Sequence, residues 1–215
     1  MNNIELRKKY GDHPENPIYT YPDHYFANKD GFTMHITNWL TFLSKFENAP
    51  NLQFLEIGTG NGRSSVWTFE NILTHPSSKL TTVDITENLH YKKGAKFKGM
   101  ELEEDILVSV RQNLQPYIDQ NKCEYVLEDS KLFLKKFNPN VEKILDFVYI
   151  DGCHEPDHII YESCICFEML KPGGYLLFDD YGWGNCRYGI ESFLLCYQNK
   201  IKVLHKDWQV LVEKL

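Results

Sequence analysis

LQFLEIGTGNGRSS, residues 52–65, is the stretch whose reading decides the fold. LQFLEI is a short apolar run of strand length, and GTGNG places Gly58, Gly60 and Gly62 at GxGxG spacing directly after it. From Arg63 the pattern turns helical and runs to residue 73. A strand, a glycine turn and a helix in that order let a ligand approach the backbone, because glycine tolerates positive φ and has no side chain to block the way. The spacing departs from GxGxxG, since Arg63 stands where the third glycine would be. A tight turn with no ligand is the competing reading.

Working outward, the same alternation repeats. LTTVDI is a β-branched strand, and residues 102–115 carry a helical pattern expected to end or kink before Pro116. CEYVL is a strand, KLFLKKF a short helix and ILDFVYID a strongly apolar strand. Residues 155–170 read as a helix with Pro156 in the first turn, where its missing N–H does no harm. KPGG reads as a turn, YLLFD as a strand and 188–198 as a helix. IKVLH and QVLVEKL are final strands, too close for a helical crossover, so they pair as an antiparallel hairpin. Upstream, residues 1–30 form a polar, proline-punctuated arm. Residues 32–46 place Phe32, Ile36, Leu40, Leu43 and Phe46 at helical spacing. Strand–helix alternation predicts an α/β fold with a mostly parallel seven-stranded sheet, helices on both faces and a C-terminal antiparallel hairpin.

The chain has 215 residues, 42% of them hydrophobic and 25% charged, which suits one globular domain with a sizeable core. No apolar run approaches the ~20 residues of a membrane helix, and the first residues lack the apolar segment of a secretory signal. A net charge of −7 argues against a nucleic-acid backbone as partner. Six cysteines without a CxxC read as free thiols in a reducing cytosol, so the expected location is cytoplasmic. The basic stretch YKKGAKFKG, 91–99, is a solvated loop or an anion or substrate site.

In open α/β sheets, ligands bind outside the carboxyl ends of the strands. Every such end here is acidic. The strands run into Glu56 before the glycines, Asp84, Glu128-Asp129-Ser130, Asp151 and Asp179-Asp180. Asp84, after the second strand, is placed to take both hydroxyls of a ribose.

With these segments in view, the sequence resembles the class I S-adenosylmethionine-dependent methyltransferases. FLEIGTGNGRSS, TTVDI, LEDS, DFVYIDGCHEP and LKPGGYLLFDDYGWG carry the resemblance, in that order, over roughly residues 50–215. DGCHEPDHIIYE and LKPGGYLLFDDY look like the branch with a DGxH motif, similar to macrolide-sugar and other small-molecule O-methyltransferases. The strand ends also resemble catechol and caffeoyl-coenzyme A O-methyltransferases. The resemblance implies that Glu56, Gly58, Thr59, Gly60, Asn61 and Gly62 wrap the methionine part of S-adenosylmethionine, with Ser64 holding its carboxylate at a helix N-terminus. It implies that Asp84 and the adjoining Ile85 meet the ribose, that Asp129 and Ser130 border the adenine, and that Asp151 closes the cofactor site. Residues 1–49 would then be a substrate cover on a methyltransferase domain of 50–215.

Asp151, Asp179 and Asp180 end two strands expected to be neighbours, where three carboxylates repel unless compensated. A divalent cation would do this, and oxygen ligands favour Mg²⁺ or a similar hard ion. Catechol-type relatives carry Asp-Asn where this chain has Asp179-Asp180. The competing reading has Asp180 capping a loop and one carboxylate protonated or paired with Arg187. His154 stands where those relatives carry a lysine base and is the candidate general base, the competing reading being a structural histidine. Tyr181 and Trp183 either stack on a substrate ring or pack the loop. The expectation is O-methyl transfer to a small hydroxylated acceptor, a sugar or glycan first, with no nucleic acid or membrane as partner and a homo-oligomer left open. The alternatives are an NAD-dependent oxidoreductase and a non-catalytic S-adenosylmethionine-binding module.

Overall fold

Seven strands form one sheet in the order β5-β2-β1-β6-β7-β9-β8 in a computed structural model that describes residues 31–85, 96–97, 100–101, 106–137 and 144–215. The strands are β1 (Gln53–Ile57), β2 (Lys79–Asp84), β5 (Cys123–Leu127), β6 (Leu145–Ile150), β7 (Leu170–Phe178), β8 (Ile201–Lys206) and β9 (Val210–Lys214). The first five run parallel, and β9 joins β7 antiparallel and pairs with β8 as the expected hairpin. The short strands β3 (Lys96–Phe97) and β4 (Met100–Glu101) pair apart from this sheet. Most of the 91–99 basic stretch, like the arm at 1–30, lies outside the described residues.

Parallel strands are covered on both faces, and side-chain alternation sorts each apolar run between two cores. Phe54, Phe147 and Tyr149 face a cluster built on Trp39 and Trp67. Leu55, Ile57, Val148 and Ile150 face a second cluster with Phe167, Phe178 and Phe193. The helices are α1 (Ile36–Phe42), α2 (Arg63–Asn71), α3 (Ile106–Asp119), α4 (Ser130–Leu134), α5 (Pro156–Met169) and α6 (Gly184–Tyr197). None of the described helices is long and apolar enough to cross a membrane.

Four local expectations need correction. The single helix over 32–46 is α1 flanked by 3-10 turns at Thr33–His35 and Ser44–Phe46. Thr41 Oγ1 donates to the Thr37 carbonyl and Ser44 Oγ to that of Thr41, and such back-bonding competes with regular helix. The inward face still forms, and it adds the fully buried Trp39 to the expected apolar residues. Of the end or kink expected before Pro116, the end does not occur: helix α3 runs through Pro116 to Asp119. The carbonyl four residues back, which loses its donor, belongs to exposed Gln112. KPGG is a bulge inside β7, across which the register with β6 shifts between Leu145 and Phe147. Helix α6 begins at Gly184, four residues early, because first-turn N–H groups need no intrahelical acceptor and the Trp183 carbonyl already accepts from Arg187 N.

Register decides what reaches the carboxyl edge. Ile57 pairs with both Val83 and Ile150, and Ile150 with Phe178. The next residues, Gly58, Asp84, Asp151 and Asp179, therefore emerge side by side. The chain leaves β1 toward β2 and β5, then returns to β6 on its other side, so the β1/β6 crevice is the topological switch point where such sheets bind ligands.

Candidate active site

The glycine loop sits at that crevice. Gly58 has φ +95°, and a Cβ there would lie 2.0 Å from the Asp151 carbonyl oxygen, so only glycine lets the loop cross the end of β6. One carboxylate oxygen of Asp84 accepts the backbone N–H groups of Thr59 at 2.9 Å and Gly60 at 2.8 Å. Thr59 Oγ1 meets Thr82 Oγ1 at 2.6 Å, and the carbonyl of Asn61, a buried residue, accepts from Asn113 Nδ2. Gly62 N donates to the Thr59 carbonyl and starts α2. Ile85 follows Asp84 half-buried.

Beneath the loop, Glu56 points into the protein. It accepts hydroxyl protons from Ser64, Ser65 and Thr82. Burial pushes its pKa up to about 7 against the pull of those donors. The Ser64 hydroxyl is thus engaged with Glu56. After β5, Asp129 caps α4 by accepting from Leu132 N at 3.0 Å, and Ser130 Oγ donates to Glu162 of α5.

The three aspartates after β6 and β7 go different ways. Asp179 is buried and turns inward. It accepts from Tyr149 Oη, from Gln209 Nε2 at 3.1 Å and from Asp180 N at 2.7 Å. Gln209 accepts in turn from Trp39 Nε1 at 3.0 Å, which ties α1 to the edge, and His35 Nε2 stands 4.0 Å from Asp179. Asp151 Oδ2 lies 3.1 Å from the same Tyr149 oxygen. Burial, reinforced by Asp179 and Asp180, raises the pKa of Asp151 well above the usual carboxylate range. The phenol has one proton to give Asp179, and protonated Asp151 can supply a second to the phenol oxygen.

Asp180 takes a left-handed conformation, φ +56°, and its Oδ2 lies 3.0 Å from His154 Nε2. The edge of Trp183 packs on the imidazole with 4.6 Å between ring centroids. His154 and Asp180 line a pocket with Asp151, Asp179 and Cys186. The loop after Asp180 is clamped, since a Cβ on Gly182 would lie 2.2 Å from the Trp208 ring. Tyr181 donates to Glu191 and lies under Arg187 and Lys206, so it packs the loop.

Asp151, Asp179 and Asp180 do not converge on one point as arranged. Asp179 has three protein donors, and Asp180 is turned to His154. The potential ligand atoms that do converge among the described residues belong to His154, Asp180 and Cys186, all within 4.8 Å. That nitrogen, oxygen and sulfur set suits softer ions than Mg²⁺. Tyr149, Gln209, Trp39 and Glu162 are neighbours that sequence reasoning missed. Only Glu162 carried a signal, as an acid on the apolar spacing of Ile159, Cys166 and Phe167.

The residue set suits S-adenosylmethionine. Asp84 stands at the open end of β2 with the carboxyl of Asp151 nearby, and the loop crosses this edge on backbone alone. Comparison with known proteins agrees. The O-methyltransferase TomG of Streptomyces achromogenes, solved in complex with SAM, superposes with a TM-score of 0.57 at 18% identity, covering 81% of this chain and 77% of that one. A putative rRNA-methylase of Clostridium thermocellum gives 0.60 at 14% identity, covering 84% and 97%. At these identities the likeness concerns the fold. The tRNA N(3)-methylcytidine methyltransferase Mettl2 of Drosophila melanogaster is 32% identical over 91 residues, 41% of this chain but only 26% of that protein. The family described as "Methyltransferase domain" matches residues 55–181, from β1 through the loop after β7. That span is more than half of the chain and contains the whole acidic edge, so the chain belongs to the methyltransferase-domain family and is a class I S-adenosylmethionine-dependent methyltransferase.

Proposed function

We propose that this enzyme methylates a hydroxyl group of a small molecule, with His154 as general base. The observation that carries the reading is the 3.0 Å pairing of His154 Nε2 with Asp180 Oδ2 in a pocket beside Asp151. A carboxylate that accepts from Nε2–H fixes the imidazole tautomer and leaves Nδ1 as a proton acceptor. Trp183 against the ring limits its rotation.

S-adenosylmethionine, when bound, supplies a methyl group on a positively charged sulfur. Gly58, Thr59, Gly60, Asn61 and Gly62 hold its methionine end with Glu56 and Ser64 bracing the loop from beneath, Asp84 and Ile85 meet its ribose, and Asp129 and Ser130 border its adenine. Asp151 closes the site between cofactor and acceptor. His154 takes the acceptor's hydroxyl proton as the oxygen–methyl bond forms and the sulfur–methyl bond breaks. A sugar or glycan hydroxyl is the first acceptor to try, on the strength of the DGxH resemblance. No step is routed through a metal, because Asp179 is turned to Tyr149 and Gln209.

The test is transfer of tritiated methyl from the cofactor into a sugar panel and fractionated extracts, with and without chelator. Label in a small-molecule fraction that survives chelation supports the reading. Label confined to RNA would favour the activity named for the Drosophila relative and overturn it. Dependence on Mg²⁺, lost in Asp179→Ala, would reinstate the three-carboxylate metal site. His154→Ala should cost roughly 10²–10⁴-fold in kcat while cofactor binding persists. An unchanged rate removes His154 from the mechanism.

A further inference from the structure

Two buried glutamates lie under the carboxyl edge, and the fold treats them differently. Glu56 receives three hydroxyl donors across both oxygens. Glu162, fully buried on α5, receives one, from Ser130 Oγ to Oε1, and its Oε2 is buried without a hydrogen-bond partner among the described residues. Burial pushes the Glu162 pKa up to about 7, with the Ser130 hydrogen bond and then Lys131 opposing the shift. A carboxyl so incompletely satisfied costs stability that an apolar side chain of similar volume would not. Ser130, its hydrogen-bond partner among the described residues, is also one of the residues assigned above to the cofactor.

Ser130 begins α4, directly beyond β5, and β5 lies beside β2 in the sheet. Adjacent strands are about 4.8 Å apart. A nucleoside whose ribose meets Asp84 at the end of β2 therefore carries its base toward Ser130. A serine hydroxyl has one proton and two lone pairs. Because that proton goes to Glu162, Ser130 Oγ can only accept from a ligand. It can take a proton from an exocyclic amino group and has none to offer a carbonyl.

We propose that Glu162 is a positioning residue that holds Ser130 Oγ as an acceptor for the 6-amino group of adenine, and so makes the cofactor site select 6-aminopurine over 6-oxopurine nucleosides. This rests on the placement of the adenine at Ser130. Glu162 acts through Ser130, which distinguishes it from a residue that merely fills the space between α4 and α5. Ser130→Ala removes the acceptor. Glu162→Leu leaves the acceptor but frees its proton.

The experiment measures the affinities of S-adenosylhomocysteine and of its deaminated 6-oxo counterpart by calorimetry at about pH 8, above the Glu162 pKa. The wild type should prefer the amino compound by roughly tenfold or more, the loss expected when one buried hydrogen bond is left unmade. Ser130→Ala and Glu162→Leu should each erase most of that preference, and the double variant should lose no more than either alone. Glu162→Gln keeps an oxygen acceptor for Ser130 and should keep the preference, an outcome that mere packing would not produce. Glu162→Met is the second apolar variant should Glu162→Leu fail to fold. A preference lost in Ser130→Ala but retained in the apolar Glu162 variants overturns the inference and leaves the adenine placement standing. Unchanged affinities for both compounds in Ser130→Ala overturn the adenine placement itself.

Discussion

Glu56 sits with its side chain 3% exposed beneath the glycine loop, and three hydroxyl donors do not offset its desolvation. Its folded pKa of about 7 lies above the 4.5 of an ordinary glutamate. The folded protein therefore keeps a proton that the unfolded chain gives up between those values. Stability from this group is greatest at low pH and falls as pH rises through that window, levelling out above about 7. Replacing it with the neutral isostere removes this dependence. Glu56→Gln should gain on the order of 1–3 kcal/mol relative to wild type between about pH 5 and about pH 8, read from urea denaturation at each pH. Parallel stability profiles would show that Glu56 does not titrate in this window. In the sequence, Glu56 is read only as a member of the loop that the resemblance assigns to the cofactor. Its inward turn was not legible there, because Thr82 lies on another strand.

At the scale of elements, the alternation of strands and helices was readable because it depends on local periodicity. The failures came where a local rule met a tolerant context. Pro116 was expected to end or kink α3, yet the helix runs on through it to Asp119, and the carbonyl that loses its donor belongs to an exposed residue, Gln112. Pro116→Ala restores the missing N–H and removes the ring clash, against a smaller gain in unfolded-chain entropy. The variant should be stabilised by about 1–2 kcal/mol, measured by chemical denaturation. Destabilisation instead would mean that the ring packs productively against its neighbours. Helix α1 shows the complementary case, in which the apolar spacing was right although Thr41 and Ser44 broke the helix into shorter turns.

For the whole molecule, the parallel sheet and its switch point make one prediction separate from the chemistry. Any ligand that binds only the folded state stabilises it, by about 2.7 kcal/mol at a hundred times its Kd. S-adenosylmethionine or its demethylated product should therefore raise Tm, and NAD should not. A shift with NAD alone would contradict the cofactor assignment.

The succession of strands and helices, the glycine loop and an acid at every strand end were all present in the sequence, because each depends on spacing along the chain. GxGxG after a strand, and carboxylates one residue past an apolar run, fold to the same edge whatever lies elsewhere. What only the tertiary structure decided is where each carboxylate points. Asp179 turns to Tyr149 and to Gln209, itself bonded to Trp39 from 170 residues away, while its neighbour Asp180 turns to His154. Two adjacent aspartates thus part company because their donors come from distant elements. A carboxylate's direction is set by the nearest available proton, and only packing of the whole chain determines which donor that is.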